Sequence, residues 1–366
     1  IHVTLVPFVT GAGELKTKPT QHSVKESRSL GIQPDILICR SAKPIPQDMC
    51  EKMAMFCDVD ADAVFQNLTA RSIYEVPVLL EKQGLDEVVL RKLDVDATNH
   101  PLDMAEWHDM VERMLKDYDR KVTLGVVGKY VELQDSYISL TEALRHAAMA
   151  NEANLDIKWI NAELVEEGEI DLEAELKDVD CILVPGGFGS KGLEGKISAI
   201  KYARENKVPF FGICLGMQCA VVEYARHIGM TGANTTEANA ETAYPVIDIL
   251  PDQQDVEEKG SMRLGLYPCK VAAGSLTEKA YGEALIYERH RNRYEVNNAY
   301  REELEKNGLV IAGALPNGRL VEIVELPTDV HPWFMGVQFH PELKSRPTNP
   351  HPLFRDFIAA ALKEQK

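Results

Sequence analysis

The chain has 366 residues, of which 27% are charged and 45% hydrophobic, and its formal net charge is −17 at pH 7. A chain of this length is expected to form one or two domains, each large enough to bury a core. The acidic balance argues against non-specific binding to nucleic acid or to an anionic membrane, although it leaves room for a local basic pocket that binds phosphates.

The seven cysteines are scattered, and no two of them have the CxxC spacing. The pattern therefore indicates neither a disulfide framework nor a zinc site, and we expect a reduced, cytoplasmic setting. No apolar run approaches the roughly 18 residues of a membrane span, and the sequence shows no signal-peptide pattern.

The first part of the chain predicts alternating strands and helices, which is the pattern of an α/β layer domain. Ile1 stands inside an apolar run, so we expect it to lie within a strand that further chain precedes. Strands are expected at 1–8, 35–39 and 63–68, and helices at about 18–30, 49–56 and 73–91.

A cluster of cationic and hydroxyl side chains lies where the first helix is expected to begin. It consists of Lys16, Thr17, Lys18, Pro19, Thr20 and Gln21. Cationic donors at a helix N-terminus are typical of a phosphate site, and a solvated basic turn is the alternative interpretation. The Walker A pattern GxxxxGK[ST] is absent from the sequence.

Residues 94–120 predict a linker followed by an amphipathic helix at 104–118, and a second α/β domain follows from residue 121. In that domain Pro185-Gly-Gly-Phe-Gly189 comes directly after a short apolar strand. Open α/β sheets bind ligands at such strand ends, although a plain flexible loop is the alternative.

Residues 226–263 predict irregular structure with an acidic surface insertion at 251–260. A hairpin is expected around Asn317-Gly318, and a final helix at 353–363.

The stretch Pro209-Phe-Phe-Gly-Ile-Cys214-Leu-Gly-Met-Gln218 predicts a strand, a sharp turn and a helix. A nucleophile elbow has this layout, because glycines let the backbone fold tightly beneath the reactive side chain. The N-terminus of the following helix would stabilise a thiolate. A buried structural cysteine is the alternative for Cys214.

His340 and Glu342 stand two residues apart in the last expected strand, at 334–342, so both should project to one side. A cysteine nucleophile needs a base, and the base needs an acceptor that orients it. This pair supplies both groups, although a surface pair without a catalytic role is the alternative.

Three of these motifs, PGGFG, GICLGMQ and VQFHPE, together resemble the class I glutamine amidotransferases. The segments KTKPTQHSVKE, GIQPDILICRS, MRLG, ERHRNRYEVNN and HPWF narrow the resemblance to the CTP synthase family, over essentially the whole chain. The implied fold is α/β: a flavodoxin-like open sheet with a nucleophile elbow, preceded by the remnant of a P-loop-type amidoligase domain. The implied domains are amidoligase at 1–93, linker and linker helix at 94–120, and amidotransferase at 121–366.

The resemblance implies a catalytic Cys214, with His340 as its base and Glu342 holding the imidazole. It further implies that the backbone N–H groups of Gly187 and Leu215 form the oxyanion hole. The implied glutamine-binding residues are Gly187, Leu215, Gly216, Met217, Gln218, Glu237 and Arg293.

In the family, ATP and the released ammonia convert UTP to CTP, which is also the feedback inhibitor, and GTP activates glutamine hydrolysis. The resemblance assigns UTP and CTP binding to the cluster at residues 16–21 together with Lys52. It assigns ATP binding to Leu68, Thr69 and Ala70, and GTP binding to Phe188 and Arg263.

The family's Mg2+ ligands and P-loop are expected before residue 1, so no metal ligand is assigned in this chain. We therefore expect the chain alone to hydrolyse glutamine without making CTP, and the longer protein to be a cytoplasmic homotetramer. Two other functions remain open: a stand-alone glutaminase or glutamyl hydrolase, and a non-catalytic paralogue acting in nucleotide sensing or assembly.

Overall fold

The computed structural model describes residues 1–96, 102–129, 131, 133–249 and 262–365. It divides into two compact units, Ile1–Lys116 and Asp117–Lys366. The acidic insertion expected at 251–260 and part of the expected linker, 97–101, lie outside the described residues. None of the helices in the described ranges is both long and apolar enough to cross a membrane.

The first unit is built around a parallel three-stranded sheet in the order β1-β4-β5. Its strands are β1 His2–Leu5, β2 Phe8–Val9, β3 Glu14–Leu15, β4 Leu37–Ser41 and β5 Val64–Leu68. Its helices are α1 Lys18–Ser29, α2 Gln47–Cys57, α3 Glu75–Glu81, α4 Leu85–Lys92 and α5 Ala105–Leu115.

Two helices of this unit differ from the sequence-based expectation. The prediction of a single helix at 73–91 is wrong, because Gly84 adopts φ +75° and separates α3 from α4. The helix expected in the linker is α5, and it packs inside the first unit, where Trp107 Nε1 donates to the carbonyl oxygen of Tyr74 at 2.9 Å.

The second unit contains a mixed nine-stranded sheet within the described residues, with helices on both faces. Its strands are β6 Arg120–Gly128, β7 Ala153–Asn161, β8 Cys181–Val184, β9 Phe210–Ile213, β10 Asn234–Thr235, β11 Pro245–Asp248, β12 Arg263–Val271, β13 Leu285–Asn292, β14 Glu295–Val296, β15 Val310–Ala314, β16 Val321–Glu325 and β17 Phe334–Val337. Its helices are α6 Ile138–Ala150, α7 Ala162–Glu166, α8 Leu172–Leu176, α9 Leu193–Asn206, α10 Leu215–His227, α11 Leu276–Tyr281, α12 Asn298–Lys306 and α13 Pro352–Glu364.

The sheet order is β13-β12-β15-β16-β17-β9-β8-β6-β7, and β7, β6, β8, β9 and β17 run parallel. Counted from β6, these strands follow the order 2-1-3-4-5 of flavodoxin-like folds, as expected. Apolar residues of α9 and α10 cover one face of the sheet, and those of α6 and α13 cover the other. The loops after β8, β9 and β17 therefore meet at one carboxyl edge of the sheet.

Two expectations for the second unit are corrected. Residues 226–263 are not irregular throughout, because β10 and β11 form within them as a parallel pair, and β11 also pairs with β14. The last strand ends at Val337 instead of Glu342, and Pro341–Leu343 form a 3-10 turn. The hairpin of β15 and β16 is present, with Gly318 at φ +74° in its turn.

Candidate active site

Cys214 occupies the sharp turn between β9 and α10. Its backbone has φ +53° and ψ −105°, a conformation that residues other than glycine rarely adopt and that marks functional turns. The turn depends on glycines on both sides. A Cβ on Gly216 would lie 2.1 Å from the carbonyl oxygen of Val184, and one on Gly212 would lie 2.7 Å from the backbone of Gly216. The predicted elbow is therefore sterically reserved for glycine at both positions.

His340 and Glu342 form the expected pair, although not in an extended strand. The Nδ1 of His340 donates to Oε1 of Glu342 at 2.7 Å, and the two side chains are 16% and 14% exposed. The 3-10 turn that begins at Pro341 brings the carboxylate back toward the imidazole. The backbone N–H of His340 donates to the carbonyl of Arg289 at 2.8 Å, which fixes this segment on β13.

The imidazole of His340 is held in its protonated form. Burial lowers the pKa of His340, but its hydrogen bonds with Cys214 and Glu342 outweigh this effect and raise the pKa to about 10. At neutral pH an imidazolium therefore stands beside the sulfur. Such an arrangement favours the thiolate, which is the nucleophilic form of cysteine.

A cavity of about 500 Å³ opens over these groups. Its lining combines the sulfur, the imidazole and the carboxylate with the glycine loop after β8. The lining residues are Leu133, Ser136, Tyr137, Ser139, Leu140, Pro185, Gly186, Gly187, Phe188, Ile213, Cys214, Arg291, His340, Glu342 and Leu343.

Gly186 makes room for the imidazole. A Cβ at this position would lie 2.9 Å from Cε1 of His340 and 3.4 Å from Cβ of Cys214. Gly187 was the residue of this loop expected at the site and Gly186 was not, because a run of glycines does not show which of them a neighbour approaches.

The structure brings only some of the expected glutamine-binding residues to the cavity. Gly187 lines it, and Leu215 is the first residue of α10, where a backbone N–H has no partner within the helix. Glu237 and Arg293 are half-buried and are not among its described lining residues, and Oε1 of Glu237 accepts from the N–H of Gly189 at 2.9 Å. The α10 residues Gly216, Met217 and Gln218 are buried.

The two expected GTP residues have different surroundings. Phe188 is 45% exposed at the cavity, and the guanidinium carbon of Arg291 lies 5.6 Å from the centroid of its ring. Arg263 is buried, and its guanidinium contacts Glu295 at 2.9 Å and Glu322 at 2.7 Å. Both carboxylates engage the guanidinium of Arg263, and the GTP-binding role that the resemblance implies for this residue stays a prediction.

In the first unit, the expected UTP residues surround the start of α1. Lys16 precedes the helix and pairs with Glu14, while Lys18 and Pro19 are exposed in its first turn. The remaining residues of the cluster stabilise the turn itself: Thr20 Oγ1 donates to the carbonyl of Leu5, and Gln21 Nε2 donates to Oγ1 of Thr17. Lys52 is exposed on α2.

The expected ATP residues Leu68, Thr69 and Ala70 follow the carboxyl end of β5. Arg40, at the end of the neighbouring strand β4, donates to Oγ1 of Thr69 at 3.1 Å. Because β4 and β5 are parallel, these groups share one edge of the sheet. The described residues contain no group of three or more His, Cys, Asp or Glu that could hold a metal ion.

Gln338 lies at the site although it was not among the residues expected from the sequence. This residue is fully buried, and its Nε2 lies 3.7 Å from Sγ of Cys214. The two-residue spacing that links His340 and Glu342 extends back to Gln338, so the spacing itself was the available signal.

Sequence comparisons give the same family over both units. The profile described as "CTP synthase N-terminus" matches residues 1–95, and the profile described as "Glutamine amidotransferase class-I" matches residues 132–360. The CTP synthase of Clostridium kluyveri is 57% identical and aligns with 100% of this chain and 67% of its own length. The CTP synthase of Pelotomaculum thermopropionicum is 58% identical over 99% of this chain and 67% of its own length.

A solved structure agrees with these matches. The glutaminase domain of Trypanosoma brucei CTPS with bound acivicin superposes with a TM-score of 0.61 at 38% identity, covering 67% of this chain and 95% of that domain. The chain thus spans about two thirds of the length of the curated relatives that it matches.

Proposed function

Because this chain belongs to the CTP synthase family, we propose that its second unit hydrolyses the side-chain amide of glutamine and releases ammonia. One observation carries the proposal: Cys214 on a strained elbow and the paired His340 and Glu342 line one cavity. A nucleophile, a base and an orienting carboxylate in one cavity are the groups that acyl transfer through a thioester requires.

In the proposed reaction the thiolate of Cys214 attacks the amide carbon of glutamine, and the carbonyl oxygen becomes an oxyanion. The imidazolium of His340 gives its proton to the nitrogen, the C–N bond breaks, and ammonia leaves. Water then attacks the thioester while His340 accepts a proton from it, which yields glutamate and restores the thiolate. Glu342 keeps Nε2 of His340 directed at the reacting atoms because it holds Nδ1.

We assign the oxyanion contacts to the N–H groups of Gly187 and Leu215. Both residues adjoin the elbow, since the Cβ position of Gly187 lies 3.5 Å from Cδ2 of Leu215. The N-terminus of α10 adds the positive end of its dipole at the same place. We assign the ammonium and carboxylate of glutamine to Glu237 and Arg293, with Gln218 beside them.

For the longer protein we propose the family reaction, in which ammonia and ATP convert UTP to CTP. The first unit would contribute Lys16 to Gln21 and Lys52 to the UTP and CTP site, and Leu68 to Ala70 to the ATP site. The exposed lysines at the start of α1 and the shared edge of β4 and β5 support this assignment. ATP and Mg2+ would serve this reaction, but the described residues offer no metal cluster, so we assign no step to a metal.

We further propose that GTP activates glutamine hydrolysis and contacts Phe188. The exposed ring at the rim of the cavity offers a face on which a base can stack, and Arg291 beside it supplies positive charge. A homotetramer in the cytoplasm is part of the same proposal. The match of residues 1–95 to the CTP synthase N-terminus disfavours a stand-alone glutamyl hydrolase, which has no use for a nucleotide domain.

The test is ammonia release from glutamine by the chain and by its Cys214→Ser variant, each with and without GTP. We expect release that depends on Cys214 and increases with GTP. Release that depends on Cys214 but ignores GTP would contradict the GTP proposal alone. Equal release from both proteins, or none from either, would contradict the glutaminase proposal.

A further inference from the structure

Gln338 is a fully buried amide that the proposed mechanism does not use, and it contacts the reactive sulfur. We propose that Gln338 is a positioning residue for the nucleophile: it donates a hydrogen bond to Sγ of Cys214, and Gln218 fixes the orientation of its amide. This inference rests on the proposed function, because it concerns the cysteine that would attack glutamine.

Three hydrogen bonds form a chain that ends at the sulfur. Gln218 Nε2 donates to the backbone carbonyl of Tyr294 at 3.0 Å and to Oε1 of Gln338 at 3.1 Å. Gln338 Nε2 then lies 3.7 Å from Sγ of Cys214, within the range of an N–H···S hydrogen bond. Gln218 is 4% exposed and Gln338 is fully buried, so water does not replace these contacts.

The donor and acceptor groups in this series of hydrogen bonds determine which atom of Gln338 faces the sulfur. A backbone carbonyl only accepts, so the atom of Gln218 near Tyr294 must be its nitrogen. The same nitrogen faces Gln338, which must therefore present its oxygen there. The amide nitrogen of Gln338 is left facing Cys214, and its N–H points a positive dipole at the sulfur.

A second contact of Sγ shows why a donor from Gln338 would affect the charge of the sulfur. Sγ also lies 3.9 Å from the backbone carbonyl oxygen of Arg291, which accepts a hydrogen bond from a thiol but repels a thiolate. The N–H of Gln338 therefore offsets the unfavourable effect of the Arg291 carbonyl on the thiolate. A hydrogen bond to the charged form of a group favours that form.

The backbone of Gln338 is fixed independently of its side chain. Its N–H donates to the carbonyl of Glu322 at 2.8 Å, and it follows β17 directly. His340 stands two residues later, so one short segment presents both a fixed donor and the titrating base to the same sulfur. The amide cannot titrate, and its contribution is therefore distinct from that of His340.

The experiment measures the rate at which iodoacetamide alkylates Cys214 in the full chain as a function of pH, with the product identified by mass. The other cysteines, Cys39, Cys50, Cys57, Cys181, Cys219 and Cys269, are buried, and burial raises the pKa of each. The Cys214→Ser variant measures any background from them.

Gln338→Met keeps the shape of the side chain and removes the donor. We expect the pH midpoint of alkylation to rise by about one unit, because the thiolate loses a hydrogen bond that favours it. Gln338→Glu should raise the midpoint further, since it places a carboxylate oxygen at the sulfur. Turnover of glutamine by Gln338→Met should fall about tenfold with little change in KM, as expected when an interaction of the reacting atom is lost.

The control is Gln66→Met, which removes a hydrogen-bonded and partly buried amide far from Cys214 in sequence. We expect the wild-type alkylation midpoint for this control. If Gln338→Met fails to fold, Gln338→Asn supplies the test, because its shorter amide remains polar but withdraws from the sulfur.

An unchanged midpoint in a folded Gln338 variant would overturn the inference, and loss of stability alone would not support it. Alkylation needs no glutamine, so the two proposals fail separately. A midpoint that depends on Gln338 in a chain that releases no ammonia would contradict the proposed function and leave this inference standing.

Discussion

At the scale of single residues, the protonation of His340 makes the stability of the fold depend on pH. The pKa of this imidazole is about 10 in the folded chain against an ordinary value of 6.5. The folded state therefore binds the proton more tightly than the unfolded state, and protonation stabilises the fold. This stabilisation is complete below pH 6.5 and is lost as the pH rises toward 10.

The prediction compares wild type with His340→Asn in urea unfolding at several pH values. The wild type should be the more stable protein at pH 6, and the difference in the free energy of unfolding should shrink as the pH rises toward 10. Burial lowers the pKa of His146 to about 4, but both proteins share that group and its effect cancels. A difference that stays constant with pH would contradict the prediction.

Glu342 can be tested with a nearly isosteric change. Glu342→Gln keeps a group at the position of Oε1 but removes the negative charge beside the imidazolium. We expect kcat for glutamine hydrolysis to fall by about 10²-fold to 10⁴-fold, as for other orienting carboxylates. Ammonia release measures the effect, and Glu305→Gln, at a partly exposed ion pair with Arg301, is the control.

At the scale of elements, the elbow depends on the close approach of α10 to β8. Gly216→Ala would place a Cβ 2.1 Å from the carbonyl oxygen of Val184, and backbone on both sides leaves no flexible side chain to yield. We expect a loss of about 3 kcal/mol or more in the free energy of unfolding, or failure to fold. Gly11→Ala, where a Cβ meets nothing within 4 Å, should be close to neutral in the same denaturation experiment.

The start of β12 depends on a buried ion pair. Arg263→Met would leave Glu295 and Glu322, both 0% exposed, without the guanidinium that they share. We expect a loss of about 3–5 kcal/mol in the free energy of unfolding, because breaking a buried pair leaves an uncompensated charge. Arg71→Met removes an exposed guanidinium that pairs with the partly buried Glu75, and it should cost at most about 1 kcal/mol. Equal losses in the two variants would refute this account of Arg263.

The elements that could be predicted from the sequence are those whose signal is local. β8 and β9 are short apolar runs that end in glycine turns, and α1 ends just before Gly31 at φ +84°. β12 could not be predicted, since Pro268 and the exposed Leu264 and Leu266 break its alternation, and its pairing with β13 is a tertiary contact.

The candidate site shows the same limit. The spacing of His340 and Glu342 predicted their pairing, but the 3-10 turn that produces it depends on packing. The burial of Arg263 is also invisible in the sequence, because its two carboxylate partners lie 32 and 59 residues away.

At the scale of the whole molecule, the second unit contains every group of the proposed glutaminase. Residues 117–366 include the nine-stranded sheet, both of its apolar faces and the cavity over Cys214. We predict that a chain of residues 117–366 folds cooperatively and keeps alkylation of Cys214 at the wild-type midpoint. Thermal unfolding and the alkylation profile test this, and a non-cooperative transition would contradict it.

The junction of β9 and β17 has a consequence for the time course of folding. Cys214 donates its backbone N–H to the carbonyl of Val337 at 2.7 Å, and 124 residues separate it from Gln338. A parallel strand pair that closes such a long loop forms slowly, because the loop loses conformational entropy before the contacts between the strands stabilise it. The strand, turn and helix of the elbow adjoin along the chain, whereas the contacts of its sulfur with residues after β17 require this junction. During refolding, the sulfur should thus acquire its reactivity only after most of the helix content has returned.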